Sequence, residues 1–275
     1  EMHRVLCSTG ALLGVPNGRN YYLLPECAER LRCDGYEFML YSVWYDQLDR
    51  LSALLSRLRL PVYVYHCEKH IGEAISRNGP GDWEEAARLF EINCQMAVFL
   101  GARRMVMHLW DGMTSDQHIE NNLRAYPLLL AQAQRHGLEL MVENVVCNQR
   151  DPLTHWRELL RLYPQAAFTL DTKMAAFHQQ LEEYYAPENR FLWTEGHIRH
   201  LHVNDYAGGY MDWARLKTLH IGQGQIDFAR FFDFVREVGY DGDYTVEATS
   251  FLPDGVIHFN ELNRTLQYIR EHINR

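Results

Sequence analysis

The sequence predicts one (β/α)8 barrel over residues 1–275. Three observations carry that reading. Eight short runs rich in Val, Tyr, Phe and Leu alternate with longer amphipathic runs, the pattern of right-handed βαβ units around a parallel sheet. Imidazoles and carboxylates recur near the ends of the short runs, about one per β/α unit. The length of 275 residues is near the ~250 usual for this barrel.

The first strand is 4–8, RVLCS. The apolar run after Arg4 is interrupted by Ser8, Thr9 and Gly10, and it reads as a strand rather than a secretion signal. The turn that follows, STGALLGVPNG, lacks G-x-G-x-x-G. An open doubly wound sheet, the alternative fold, usually shows that phosphate loop here. The remaining strands are expected at 36–41, 62–67, 104–110, 138–145, 167–172, 198–205 and 243–249. Their enrichment in Val, Tyr, Phe and Leu suits strands buried on both faces.

Between them lie helical patterns. Residues 46–60 place Leu48, Leu51, Leu54, Leu55 and Leu58 at helical spacing. Residues 82–100 open with Asp82 and carry Glu85 three positions on, a capping-box signature. Residues 115–136 carry an apolar stripe from Ile119 to Ala133, with Pro127 inside it as an expected kink or break. Residues 152–162, 228–238 and 260–273 read as further helices.

Composition narrows the function classes. Hydrophobic residues are 47% and charged residues 23%, which excludes a disordered or collagen-like chain. No apolar stretch of about 18 residues occurs, so no transmembrane helix is expected. A net charge of −9 disfavours a general nucleic-acid or anionic-membrane surface. The six cysteines form no C-x-x-C pair, and reduced thiols in a cytoplasmic protein are expected.

The strand-end residues are Glu37, His66, His108, Glu143, Asp171, His202 and Glu247. In a barrel the carboxyl ends of all strands meet at one mouth, where active sites sit. So many ionisable groups in one buried place need compensation, and a divalent cation supplies it. Mixed carboxylate and imidazole ligation suits Mn, Fe, Co or Zn, and Mg when water completes the shell. Taken alone, Glu37 reads as a structural carboxylate, and His66 or His108 as a hydrogen-bonded wall histidine. Glu143, Asp171 and Glu247 interrupt apolar strands and read as functional. Alternation along HLHVND does not choose between His200 and His202.

The segments LMVENV, FTLDT, HLHVND, IGQGQIDF and YTVEAT, in that order, resemble the xylose isomerase-like TIM barrels. That superfamily includes sugar phosphate isomerases and epimerases, ketose 3-epimerases, inosose dehydratases and the endonuclease IV group. DGYEFMLY resembles its strand-two segment. The resemblance implies one divalent metal held by Glu143, Asp171, His202 and Glu247. It also implies that Glu143 and Glu247 exchange a proton on opposite faces of a sugar, next to a carbonyl, through an enediolate. It further implies a small-molecule sugar or polyol partner and a homodimer or homotetramer. His66, His108, His220 and Lys173 are candidates for substrate binding or additional metal, and Asn144 and Asn204 for orienting the ligands.

Both branches of the superfamily usually carry a histidine three residues after the strand-six aspartate. Here that position is Met174, which weighs against a third zinc and against phosphodiester cleavage. The expected function is therefore a metal-dependent isomerase or epimerase. The alternatives are an inosose-type dehydratase, an endonuclease IV-like zinc phosphodiesterase and a non-catalytic sugar-binding barrel. Lys173 reads as a solvated loop lysine or, alternatively, as a cation for a substrate oxygen or phosphate, since a neighbouring metal makes Schiff-base chemistry redundant. Trp110, Tyr206, Tyr210, Trp213 and Phe251 are candidates for stacking on a sugar or closing the mouth. Met96, Met105, Met107, Met141 and Met174 read as core filling. The pairs Arg57 with Arg59 and Arg103 with Arg104 read as solvated residues of the opposite face.

Overall fold

The computed structural model of the chain describes residues 3–274. Eight parallel strands pair in chain order and close into a barrel. They are β1 (Val5–Ser8), β2 (Gly35–Met39), β3 (Val62–His66), β4 (Arg104–Met107), β5 (Glu139–Glu143), β6 (Ala167–Asp171), β7 (Ile198–His202) and β8 (Asp243–Val246). The ring closes where Val5 of β1 pairs with Tyr244 of β8. Each expected strand is present and a residue or more shorter than expected; β1 begins at Val5 rather than Arg4, and the other seven end sooner because the last residues of each run turn into the loop above it.

The helices are α1 (Leu24–Arg30), α2 (Leu48–Leu58), α3 (His70–Arg77), α4 (Asp82–Phe99), α5 (Ile119–Arg135), α6 (Pro152–Leu162), α7 (Thr172–Phe177), α8 (Leu181–Tyr185), α9 (Phe191–Thr194), α10 (Phe228–Glu237) and α11 (Phe259–Ile273). Their apolar stripes pack on the outward face of the strands. Leu51, Leu54 and Leu55 of α2 and Phe231, Phe232 and Val235 of α10 are buried there. Among the described residues no helix is long and apolar enough to cross a membrane.

Two local expectations are corrected. Asp82 is the first residue of α4 and does not cap it; Gly81, in the left-handed region, holds the cap position. The Asp82 carboxylate instead accepts the Gly79 N–H at 2.9 Å. Helix α5 runs unbroken through Pro127. The proline is half-buried, off the buried stripe of Asn122, Ala125, Tyr126, Leu129 and Ala133, and the bonds around it carry the helix past the missing donor.

Inside the barrel the inward positions form layers. A separate apolar cluster of Leu6, Val64, Val106, Met141 and Ala167 fills the lower part. Two residues further along several strands the side chains turn polar: Leu6 gives way to Ser8, Val64 to His66, Val106 to His108 and Met141 to Glu143. Because residues i and i+2 share a face of a strand, the polar ring stands directly above the apolar plug. The site therefore rests on a packed floor rather than on mobile loops.

Candidate active site

Glu143, Asp171, His202 and Glu247 offer ligand atoms that all lie within 4.8 Å of one another. They come from the ends of β5, β6 and β7 and the residue after β8. Glu247 Oε1 stands 3.1 Å from His202 Nδ1, and Glu143 Oε1 also meets that nitrogen. The other ring nitrogen, Nε2, is 2.8 Å from Glu37. Glu37 is thus fully buried beneath the histidine and also accepts from His200 at 3.0 Å. A carboxylate behind an imidazole fixes the ring orientation and directs the free nitrogen forward.

Both His200 and His202 point inward. The register, which sets His202 beside Asp171 and His200 beside Thr169, puts only His202 at the level of the quartet. His200 lies one layer down, within 3.0 Å of Thr245 Oγ1.

Asn204 and Asn144 act at different distances. Asn204 Nδ2 donates to Asp171 Oδ2 at 3.1 Å and to Glu247 Oε1 at 2.7 Å. Asn144 holds backbone only, accepting the Asp171 N–H at 2.6 Å and donating to the Asp171 carbonyl at 3.1 Å. Lys173 is buried, with Nζ donating to Thr218 Oγ1 at 2.9 Å and standing 3.8 Å from Asp171.

The electrostatics show crowding. Burial pushes the Asp171 carboxyl up to about 6, Lys173 opposes it, and Glu247 and Glu143 reinforce it. Burial also disfavours charge on Glu247, yet His202 outweighs it and brings that group down to about 2. Glu143 is held well below the usual range because His108 and His202 outweigh its burial. Three carboxylates around one imidazole are what a divalent cation would neutralise. The donor set fits Mn, Co, Zn or Mg.

His66 and His108 stand on the other side of Glu143 and form a second possible metal group with it. His108 Nε2 meets Glu143 and its Nδ1 is 2.8 Å from Asp111. Despite burial, Glu143 and Asp111 raise this imidazole to about 9. His66 is driven down to about 4 by burial and by the His108 charge. Its Nε2 has no hydrogen-bond partner among the described residues.

A cavity of about 570 Å³ opens above these groups, within the range of small-molecule sites. Glu143, Asp171, Glu247, His108, Lys173 and Met174 line it, and the fully buried His202 lies behind Glu143 and Glu247, whose carboxylates meet its Nδ1. His220 does not join the site. It is buried between Ser250 Oγ at 2.5 Å and Thr265 Oγ1 at 2.8 Å, where it fastens the loop above β7 to α11. The aromatic candidates do not line the cavity either. Trp110 is buried and donates to the Val145 carbonyl at 3.0 Å, and the apolar wall comes from Met39, Tyr41, Met174 and Leu219. Arg104 is not simply solvated, since it pairs with Glu139 at 3.5 Å.

Sequence reasoning missed several supporting residues. Asp111 orients His108. Asp205 accepts backbone N–H groups of Gly222, Gly224 and Ile226, at 2.9, 2.9 and 3.0 Å, and folds the IGQGQI turn around itself. A Cβ on Gly224 would stand 2.4 Å from the Tyr206 carbonyl, so only glycine fits there. That turn carries Gln223 to the cavity, where Lys69 and Lys217 also appear. Their one signal in the sequence is that each follows a strand or a turn on the mouth side.

Comparison with known proteins follows this geometry. The family model described as xylose isomerase-like TIM barrel matches residues 26–270. An uncharacterised protein of Methanocaldococcus jannaschii, MJ1311, is 22% identical over 230 residues, covering 76% of this chain and 73% of its own. Among solved structures, a D-tagatose 3-epimerase-like protein superposes with a TM-score of 0.69 at 19% identity, over 99% of this chain and 100% of its own. The D-allulose 3-epimerase of Methylomonas sp., solved with D-allulose, gives 0.70 at 16%, over 98% and 97%. A putative sugar phosphate isomerase/epimerase of Anabaena variabilis gives 0.71 at 15%, over 100% and 99%.

Proposed function

We propose that this chain, which belongs to the xylose isomerase-like TIM barrel family, is a divalent-metal-dependent isomerase or epimerase of a sugar or a sugar-like polyol or keto acid. The observation that carries the reading is the convergence of Glu143, Asp171, His202 and Glu247 on one point, with the three carboxylates lining a single cavity. These four residues would hold the ion. When bound, it would supply Lewis acidity that makes the carbon next to a substrate carbonyl easier to deprotonate.

The chain's own residues supply the rest. Glu143 and Glu247 reach the same His202 nitrogen from different strands, so both flank one point. Each is ionised near neutral pH and can accept a proton. One takes the proton from the carbon, and the C–H electron pair moves into the carbonyl to give an enediolate. Return of a proton to the other face gives the epimer, and return to the neighbouring carbon gives the isomer. Asn204, bonded to Asp171 and Glu247, keeps these carboxylates from swinging away. Glu37 keeps the His202 ring in place. The apolar wall of Met39, Tyr41 and Met174 limits water at the reacting carbon.

The names of the solved neighbours support a small sugar as the partner. Six free cysteines support a reducing, cytoplasmic location. A dehydratase would use the same enolate and lose a β-hydroxyl. The second cluster of His66, His108 and Glu143 favours one different reading, a zinc phosphodiesterase with more than one ion. Deuterium uptake from heavy water into a panel of ketoses, keto acids and inososes separates them. Glu143→Gln and Glu247→Gln should each abolish uptake while the far-UV spectrum stays native. Wild-type uptake in either variant would remove that residue from proton transfer.

A further inference from the structure

The chain contains only three lysines against 24 arginines. All three lysines, Lys69, Lys173 and Lys217, line the cavity above the carboxylate quartet, and no arginine does. They arrive from three separate loops on the mouth side: Lys69 just before α3, Lys173 in the first turn of α7, and Lys217 in the loop after β7. Elsewhere the chain meets its need for cations with arginine, as in the pairs of Arg4 with Asp243 and Arg230 with Glu182.

The quartet does not account for this grouping. Lys173, with a divalent ion, matches the three carboxylates of the site. Lys69 and Lys217 are exposed, and among the described residues neither forms an ion pair. The one further carboxylate of the lining, Glu261, is engaged by Ser250 at 2.6 Å and stands near His220. Lys69 helps keep nearby Asp111 ionised, but that carboxylate is bonded to His108, so two cationic side chains line the cavity without an ion pair among the described residues, on a chain whose net charge is −9. An ammonium on a flexible stem is a compact point charge that follows an anionic group as a substrate settles. Thr218, which accepts from Lys173, and Thr249 add hydroxyls to the same wall.

We propose that the substrate carries an anionic group, a phosphate monoester or a carboxylate, held by Lys69 and Lys217 with Lys173 between them and the ligand carboxylates. This rests on the isomerase reading and names its substrate class.

The test has two arms. In the first, inorganic phosphate and acetate are titrated calorimetrically into the purified protein and into Lys69→Gln, Lys217→Gln and Lys217→Arg. Loss of one charged hydrogen bond should weaken the preferred anion roughly tenfold or more in each Gln variant, with most of the affinity kept in the Arg variant. In the second, deuterium uptake is followed for a ketose, its terminal phosphate ester and the matching uronate. One anionic compound should show a KM at least about tenfold below that of the neutral sugar, and the gap should narrow in both Gln variants. Preference for phosphate or for acetate tells the two sources of charge apart. Anion affinity that is absent, or equal in wild type and Gln variants, would overturn the proposal, as would a neutral sugar that matches both anionic ones. No uptake from any compound, with lysine-dependent phosphate binding intact, would retire the isomerase reading and leave the anion site standing.

Discussion

Replacing Asp116 by Asn tests how the loop after β5 is held, and through it the placement of Glu143. Asp116 is buried. Its Oδ1 accepts the N–H groups of Asn148 and Gln149, both at 2.9 Å. Its Oδ2 accepts the Arg150 N–H and His155 Nε2, each at 2.8 Å. Asparagine keeps one oxygen. With the oxygen at the Oδ1 position, His155 can change tautomer and accept from the new NH2, but the Arg150 N–H then faces a donor. The best arrangement therefore loses one charged hydrogen bond and strands a backbone donor. Those losses are worth about 1.5–3 and 1–3 kcal/mol, so a total near 3 kcal/mol is expected. That corresponds to a fall in Tm of about 5 °C for a chain of this size. Urea unfolding at about pH 7 reads it directly. The pH dependence provides a second check. Burial opposes ionisation of Asp116, but His155 and the backbone N–H groups hold its carboxyl well below the usual range. A carboxyl depressed in the folded state contributes stability that is present above its unfolded pKa, about 3.9, and lost as pH falls through the folded value. The gap between wild type and variant should be full at neutral pH and shrink below about pH 4. A variant within about 1 kcal/mol of wild type at neutral pH, or a gap that grows in acid, would refute the reasoning.

Other outcomes follow from the same contacts. Gly72 lies in α3, and a Cβ there would stand 1.8 Å from the His108 carbonyl oxygen. Gly72→Ala should thus destabilise by about 1–3 kcal/mol, despite the ~1 kcal/mol that alanine offers a helix, and a stabilised variant in chemical unfolding would contradict the close approach. His178 accepts the Cys147 N–H at 2.9 Å and is held near 4 by burial. The unfolded state then binds the extra proton between about pH 6.5 and 4, so wild-type stability should fall across that window. His178→Gln should flatten that part of the stability curve, and an unchanged curve would count against a neutral imidazole. Asn204→Ala, which frees Asp171 and Glu247, should lower Mn affinity roughly tenfold by calorimetry, and equal affinity would show that the carboxylates need no such restraint.

Much of the barrel was legible because its strands are buried on both faces and read as apolar runs. The site was legible for the same reason in reverse: Glu143 after Met141, and Asp171 after Thr169, place charge at inward positions where packing alone gives no cause for it. Alternation along β7 could not choose between His200 and His202, and only the family resemblance pointed to His202. Two residues apart they share a face, and only the register against β6 sets their heights. The role of Glu37 was not legible, since nothing local tells that a strand-two carboxylate backs a strand-seven histidine. Asp116 and Asp205 escaped because they bind backbone N–H groups 17 to 34 residues away, which leaves no periodic trace. His220 misled because its position just before a glycine turn resembles a ligand, whereas its ring is spent on Ser250 and Thr265. The lysines mattered through their scarcity, which acquires meaning only once the fold brings them to one cavity.

The central claim is tested most directly by following deuterium uptake before chelation, after chelation, and after Mn, Co, Zn or Mg is restored, with metal content measured on the same samples. The account predicts about one ion per chain and uptake at a carbon beside a carbonyl that disappears on chelation and returns with the ion. Uptake that persists in metal-free protein, or two or three zinc ions per chain with no uptake from any compound, would contradict it.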